Sequence, residues 1–168
     1  MKIVVVIPAR YGSSRFAGKV LAKETGKYLV QHTYERALCA ERVSRILIAT
    51  DDERVMTACA EFGADCVMTS PAHTSGTDRI AEAVQDVEAD IVVNLQADEA
   101  DIDPAYIDRV AGLLVESPEA AMATLLAPFE YAADVANPNI VKCVTERDGR
   151  AIYFSRSVIP FTRAAGGV

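Results

Sequence analysis

The chain begins with a run that is apolar throughout, Ile3–Pro8 (IVVVIP). It predicts a buried strand over residues 2–7, and it is the first of several short apolar runs that alternate with helical patterns. Such an alternation is typical of a mainly parallel sheet with helices packed on both faces. This feature restricts the fold more than any other in the sequence.

The pattern predicts five strands and four helices before it changes. The strands are expected over residues 2–7, 45–50, 65–69, 90–95 and 122–127, and the helices over 29–41, 51–62, 77–87 and 103–115. An Asp cap opens the second helix, and Asp103-Pro104 is a good start for the fourth. Two further strands, 141–145 and 152–155, flank an Asp-Gly turn and predict a β-hairpin.

These elements predict a three-layer α/β fold with a mainly parallel, mixed sheet and a β-hairpin insertion. A chain of 168 residues is long enough for one domain, 1–168, with a real core. A net charge of −7 argues against nucleic acid or an anionic membrane as partner, and the apolar runs are too short to span a bilayer. The four cysteines have no CxxC pairing, which favours reduced thiols in a cytoplasmic protein.

Ligands of such sheets bind beyond the carboxyl ends of the strands, so the loops there are the candidate sites. The loop after the first strand has three cations, Arg10, Arg15 and Lys19, among glycines and serines. It is not a Walker A loop, because five residues rather than four lie between Gly12 and Gly18 and Val20 follows the lysine. The loop is suited to nucleotide phosphates, and a solvated basic loop is the structural alternative.

Four carboxylates crowd into the loop that follows the fourth strand: Asp98, Glu99, Asp101 and Asp103. A carboxylate that faces a phosphate loop suits Mg²⁺, which prefers oxygen ligands. Only one of Asp98 and Glu99 is expected to face the site, and Asp103 is better explained as a helix cap. An acidic solvated turn is the alternative.

The loop before the third predicted helix is rich in small hydroxyl residues and contains Ser75, Gly76 and Thr77, with Arg79 in the first turn. Its hydroxyls and backbone N–H groups could bind a base edge or an anion, or simply cap the helix. Thr50-Asp51-Asp52-Glu53 is interpreted as a capping segment. Together, a cationic loop and a metal-binding carboxylate favour phosphoryl or nucleotidyl transfer over redox chemistry.

Seven segments of the chain carry a resemblance to a known family. They are VIPARYGSSRFAGK, QHTYERA, ATDDERV, VMTSPAHTSGTDRIAE, VNLQADEADI, NPNIVKCV and IYFSRSVIPF. In order and spacing the chain resembles the 3-deoxy-manno-octulosonate (KDO) cytidylyltransferases, also called CMP-KDO synthetases. The resemblance implies a Rossmann-like nucleotidyltransferase fold and the transfer of CMP from CTP to the anomeric hydroxyl of KDO, with Mg²⁺, for lipopolysaccharide synthesis in the cytoplasm.

The resemblance also implies roles for individual residues. Catalytic roles fall on Arg10, Lys19 and Asp98, and Asp98 would hold Mg²⁺. Arg10, Arg15 and Lys19 would hold the CTP phosphates, Ala9 and the loop of Ser75, Gly76, Thr77 and Arg79 would frame cytidine, and Gln96 and Arg156 would contact KDO. CTP and KDO would be the small-molecule partners, and the family is homodimeric.

The chain departs from the family pattern at three points. Ala17 and Val20 replace prolines in the phosphate loop, and Ala97 replaces a glycine beside Asp98. Family members are longer than this chain, so the C-terminal part of the family fold is expected to be absent. A noncatalytic CTP-binding protein and a synthetase for another sugar acid, of the sialic acid type, are the alternative functions.

Overall fold

The computed structural model describes residues 1–12 and 16–160 of the chain. The chain forms two compact units. The first unit is Met1–Ala123 and the second is Thr124–Val168. Each unit is described by itself below. The single nucleotidyltransferase domain over residues 1–168 stays a prediction.

The first unit is built on a four-stranded sheet in which all strands are parallel. The strands are β1 (Ile3–Pro8), β2 (Arg45–Thr50), β3 (Cys66–Met68) and β4 (Ile91–Asn94), and their order across the sheet is β3-β2-β1-β4. The predicted α/β class with a mainly parallel sheet is confirmed, and the antiparallel pair forms a separate two-stranded sheet in the second unit.

Helices cover the sheet on both faces, as predicted. They are α1 (Leu29–Ala37), α2 (Glu53–Glu61), α3 (Gly76–Ala83) and α4 (Pro104–Glu116), with a 3-10 turn at Lys19–Leu21. Val5 of β1 belongs to the core that contains residues of α1, α2 and α4. Val6 belongs to the core on the opposite face with Ile80 of α3. An apolar run with no polar face is therefore buried on both sides.

Three predicted elements differ from the structure by four residues or more. Helix α3 ends at Ala83 rather than at residue 87. Helix α1 ends at Ala37 rather than at residue 41, because the N–H groups of Glu41 and Arg42 donate to the carboxylate of Asp108, at 2.9 and 2.8 Å. The strand predicted at residues 122–127 is wrong, since the structure assigns no strand there. An apolar run becomes a strand only where another strand accepts its hydrogen bonds, and sequence pattern alone does not supply that partner.

The second unit contains the predicted hairpin, β5 (Lys142–Thr145) and β6 (Ala151–Ser155), and a short helix α5 (Ala132–Ala136) that the sequence analysis did not predict. Lys142 is its one described buried charge, 2% exposed. The ammonium group donates to the carbonyl oxygens of Asn137, Ile140 and Arg156 at 2.9, 2.8 and 2.6 Å. Its three protons thus join the 137–140 turn to the end of β6.

The Lys142 ammonium should be a main determinant of local stability in this unit. Lys142→Met keeps the aliphatic chain and leaves three carbonyl oxygens without their donor, which costs about 1–3 kcal/mol. We expect faster amide hydrogen exchange in residues 137–156, measured by mass spectrometry. Arg147→Met, in the exposed hairpin turn, is the control, and equal exchange in the two variants would contradict the prediction.

Candidate functional site

The order of the strands places two of the predicted site residues in contact. β1 and β4 are adjacent and parallel, and the strand order reverses between them, so the loops that follow both strands leave the same edge of the sheet. At this edge Lys19 Nζ donates to Asp98 Oδ2 at 2.6 Å. A crevice at such a reversal is where open α/β sheets bind ligands.

The lysine is held by the residues that follow and precede it. Gly18 has a positive φ of 73°, and its N–H donates to the carbonyl of Tyr11 at 2.9 Å, which closes the base of the loop. Lys19 then begins the 3-10 turn, whose Val20 is buried in the core beneath the sheet edge. The Lys19 side chain is 45% exposed, so its ammonium faces solvent from an anchored backbone.

The turn that presents Asp98 is anchored from inside the fold. Leu95 and Ala97 are buried in the core, and the carbonyl of Ala97 accepts from the buried hydroxyl of Thr33 at 3.0 Å. Gln96 donates to Asn94 at 2.8 Å. Ala97 has no positive φ, so the turn accommodates alanine without backbone strain.

A second group of predicted residues meets at the ends of β1 and α3. Gly76, the first residue of α3, lies so close to Pro8 that a Cβ on it would be 3.3 Å from Pro8 Cγ. Ser75 caps the helix by accepting from the N–H of Asp78 at 3.1 Å. The N–H of Ala9 donates to the carbonyl of Ala49 at 2.8 Å, and the residue is fully buried, so its contact with cytidine stays a prediction.

Arg79 lies inside the fold, only 2% exposed. Nη2 donates to Asp51 Oδ2 at 2.7 Å and Nη1 donates to the hydroxyl of Thr69, which itself donates to the carbonyl of Thr50 at 2.8 Å. Arg79 therefore ties α3 to the ends of β2 and β3. Its role in framing cytidine stays a prediction, and sequence reasoning missed Asp51 and Thr69 because nothing local marks them as its partners.

The 70–73 loop is held to α3 by one carboxylate. Glu82 accepts from the N–H of Ser70 with both oxygens, at 3.1 and 3.0 Å, and pairs with His73. The hydrogen bond from Ser70, followed by that from His73, lowers the pKa of the Glu82 carboxyl. A loop next to the proposed nucleotide site is thereby fastened by a group that stays ionised at neutral pH.

The remaining predicted site residues are not part of either group of contacts described above. Arg10 and Thr77 are exposed on the first unit. Arg156 belongs to the second unit, where its Nη1 donates to the carbonyl of Pro138 at 3.0 Å. Arg15 lies outside the described residues.

The donor set around Asp98 fits a metal that arrives with a nucleotide. Within residues 1–12 and 16–160 no group of three or more His, Cys, Asp or Glu could hold a metal ion. Mg²⁺ in nucleotide enzymes takes one or two carboxylates and completes its shell with phosphate oxygens and water. One half-exposed carboxylate beside the half-exposed Lys19 suits that arrangement.

Comparisons with known proteins identify the family of the chain. The family model "Cytidylyltransferase" matches residues 4–166. The chain belongs to the cytidylyltransferase family. It is 49% identical over 160 residues to the 3-deoxy-manno-octulosonate cytidylyltransferase of Geotalea daltonii, covering 95% of this chain and 63% of that protein. It is 51% identical over 164 residues to that of Pseudomonas syringae pv. syringae, covering 96% and 64%.

Solved structures confirm the fold. The chain is similar to a CMP:2-keto-3-deoxy-manno-octonic acid synthetase complexed with CTP, with TM-score 0.87, 43% identity and coverage of 97% of this chain and 67% of that one. A cytidylyltransferase from Leptospira borgpetersenii shares the fold at 22% identity and TM-score 0.62, covering 70% and 50%. The chain spans 63–65% of the length of the first curated relatives that it matches.

No helix in the described part of the chain combines the length and the apolar character that a membrane crossing needs.

The buried Arg79 contact should contribute strongly to stability. Arg79→Met leaves Asp51 without its cation, and we expect a loss of roughly 3 kcal/mol, at the low end for buried pairs because Asp51 keeps some solvent contact. Chemical denaturation measures it.

Arg45→Met is the matched control, because the Arg45–Asp65 pair is solvent-exposed and worth about 0–1 kcal/mol. A loss for Arg79→Met no greater than for this control would show that the buried pair does not hold the three elements together.

Proposed function

We propose that the protein transfers CMP from CTP to the anomeric hydroxyl of KDO and releases pyrophosphate. The observation that carries the proposal is the contact of Lys19 with Asp98 at the strand-order reversal between β1 and β4. The contact brings the proposed phosphate-binding cation next to the proposed metal-binding carboxylate, at the edge where such folds bind ligands. The names of the relatives at 47–51% identity support CTP and KDO as the substrates.

The nucleotide would lie along the ends of β1 and α3. Arg10, Arg15 and Lys19 hold the triphosphate in this proposal. Lys19 has three N–H donors, so it can keep Asp98 and still donate to a phosphate oxygen. The cytosine amino group would donate to the carbonyl of Ala9, and the ribose and base would lie against Ser75–Gly76–Thr77, with Arg79 supporting this frame from the interior.

The proposed reaction depends on how the site stabilises the negative charge that develops in the transition state. The sugar hydroxyl attacks the α-phosphorus in line with the leaving pyrophosphate, and negative charge grows on the non-bridging and leaving oxygens. In this proposal Arg10 and Lys19 stabilise that charge. Mg²⁺ held by Asp98 would supply further charge neutralisation and acidify the sugar hydroxyl.

Fewer observations support the proposed contacts with KDO than support those with CTP. Gln96 leaves the same turn as Asp98 and is exposed, so it is available to a sugar placed next to the α-phosphate. The assignment of Arg156 to the KDO carboxylate stays a prediction from the resemblance, as does the homodimer. The four free cysteines are consistent with the proposed cytoplasmic site of action, and lipopolysaccharide synthesis is the proposed use of CMP-KDO.

Aspartate 98 provides the sharpest test of the proposal. With CTP, Mg²⁺ and KDO, the wild-type chain should release pyrophosphate, and Asp98→Asn should reduce kcat by about 10³-fold, because a metal contributes several kcal/mol to the transition state. In EDTA, Asp98→Asn should bind CTP at least as tightly as wild type by calorimetry, since a negative charge beside Lys19 is gone.

Asp101→Asn, in the same loop, is the control and should leave both measurements unchanged. Binding of CTP without pyrophosphate release from wild type would favour a noncatalytic nucleotide-binding protein. Release with a sialic acid but not with KDO would favour the other sugar acid. Full turnover by Asp98→Asn would overturn the metal assignment.

A further inference from the structure

The ring of Tyr11 contacts two groups that flank the proposed phosphate site. The guanidinium carbon of Arg54 lies 3.4 Å from the ring centroid, a cation–π distance. Gly18 lies against the same ring, since a Cβ on Gly18 would be 3.0–3.1 Å from Cε2, Cζ and the hydroxyl oxygen. The half-buried ring also packs on the main core. One aromatic side chain thus touches the core, a helix start and the loop before Lys19.

Arg54 is held in place by its own helix cap. Asp52 accepts from Arg54 Nε and Nη2 at 2.8 and 2.6 Å and caps α2 by accepting from the Arg54 N–H at 2.9 Å. The Arg54 side-chain hydrogen bond lowers the pKa of Asp52 to about 2, so this carboxylate is ionised throughout the neutral range. The planar guanidinium therefore has a fixed orientation, although its side chain is 60% exposed.

Gly18 is connected to Tyr11 twice. Its N–H donates to the Tyr11 carbonyl at 2.9 Å, and its missing side chain makes room for the Tyr11 ring. Gly18 immediately precedes Lys19, so a shift of this residue moves the ammonium that contacts Asp98. A rigid connection therefore runs from the cap of α2 through two stacked side chains to Lys19.

We propose that Tyr11, in contact with both Arg54 and Gly18, is the positioning residue that holds Lys19 in place for the nucleotide triphosphate. The inference rests on the proposed function for its ligand, and it adds Tyr11 and Arg54 to the residues on which CTP affinity depends. Neither residue was among the site residues predicted from the sequence. If Tyr11 were only a core residue, replacing it would lower the stability of the fold without a selective loss of CTP affinity.

Substitutions at Tyr11 separate the two roles. Tyr11→Leu keeps an apolar side chain and removes the stacking surface, and we expect CTP to bind roughly five- to tenfold more weakly by calorimetry. The KM for CTP should rise with kcat much less affected. Tyr11→Phe should restore CTP binding to within about twofold of wild type, because the ring alone makes the stack. Equal CTP affinity of Tyr11→Leu and wild type would overturn the inference.

Arg54→Met tests the other half of the stack at an exposed position where folding is not at risk. We expect CTP to bind more weakly to Arg54→Met than to wild type, as for Tyr11→Leu. The double variant should lose less binding free energy than the sum of the losses in the two single variants. Lys23→Met is the matched control, since it removes another exposed cation, 4.1 Å from the ring of Tyr28. A fully additive double variant would show that Arg54 does not act through Tyr11.

Two glycines provide a matched pair for the loop itself. Gly18 and Gly63 both have φ of 73°, so alanine pays the same backbone strain at each. Only Gly18→Ala places a methyl group against the Tyr11 ring, because nothing lies within 4 Å of a Cβ at Gly63. We expect Gly18→Ala to weaken CTP binding at least tenfold relative to Gly63→Ala. Equal CTP affinities would overturn the inference.

A measurement without ligand separates this inference from the proposed function. Hydrogen exchange of a peptide covering residues 16–21 reports the Gly18 N–H directly, and Tyr11→Leu should accelerate it while Tyr11→Phe does not. Failure of wild type to bind CTP would overturn the proposed function and with it the ligand named in this inference, while faster exchange in Tyr11→Leu would still show that the ring holds Gly18 in place. Unchanged hydrogen exchange in Tyr11→Leu would overturn the inference, whatever the CTP affinity of this variant.

Discussion

The candidate site depends on the ladder of hydrogen bonds between β1 and β4. Its register runs from Ile3 opposite Ile91 to Val6 opposite Asn94, and both strands point the same way. The loops after the two strands therefore leave the sheet side by side, and two residues 79 positions apart in sequence come within hydrogen-bond distance. In an antiparallel pair those loops would leave opposite edges, and Lys19 could not reach Asp98.

A ladder brings strand ends together but does not fix the turns that follow them. Buried polar side chains do that here, each by holding a carbonyl or a charge from a neighbouring element. Thr33 of α1 holds the Ala97 carbonyl, and Arg79 of α3 holds Asp51 after β2. Among the described residues, no buried side-chain nitrogen or oxygen lacks a hydrogen-bond partner. A satisfied buried network of this kind makes the geometry of the edge stiff.

The sequence predicted what depends on near neighbours and missed what depends on distant ones. The runs at β1 and β2, the capping segment over residues 50–53 and the cap at Asp103 are local signals, and the structure has all four, with Asp52 as the capping residue of that segment. The cationic loop and Asp98 were predicted to face each other from the order of the elements. The strand at 122–127, the end of α1 and the burial of Arg79 each depend on a partner far along the chain, which no local pattern identifies.

The charge balance explains how a cationic loop persists in a protein of net charge −7. Lys19 and Asp98 neutralise each other, and both side chains are about half exposed, at 45% and 50%. Exposed pairs of this kind are worth only about 0–1 kcal/mol. The triphosphate of the proposed nucleotide would bring several negative charges to the same lysine and would compete with one carboxylate at little cost. The ladder and the buried side chains order the edge of the sheet, and the pair itself is weak enough for Lys19 to donate to a nucleotide as well.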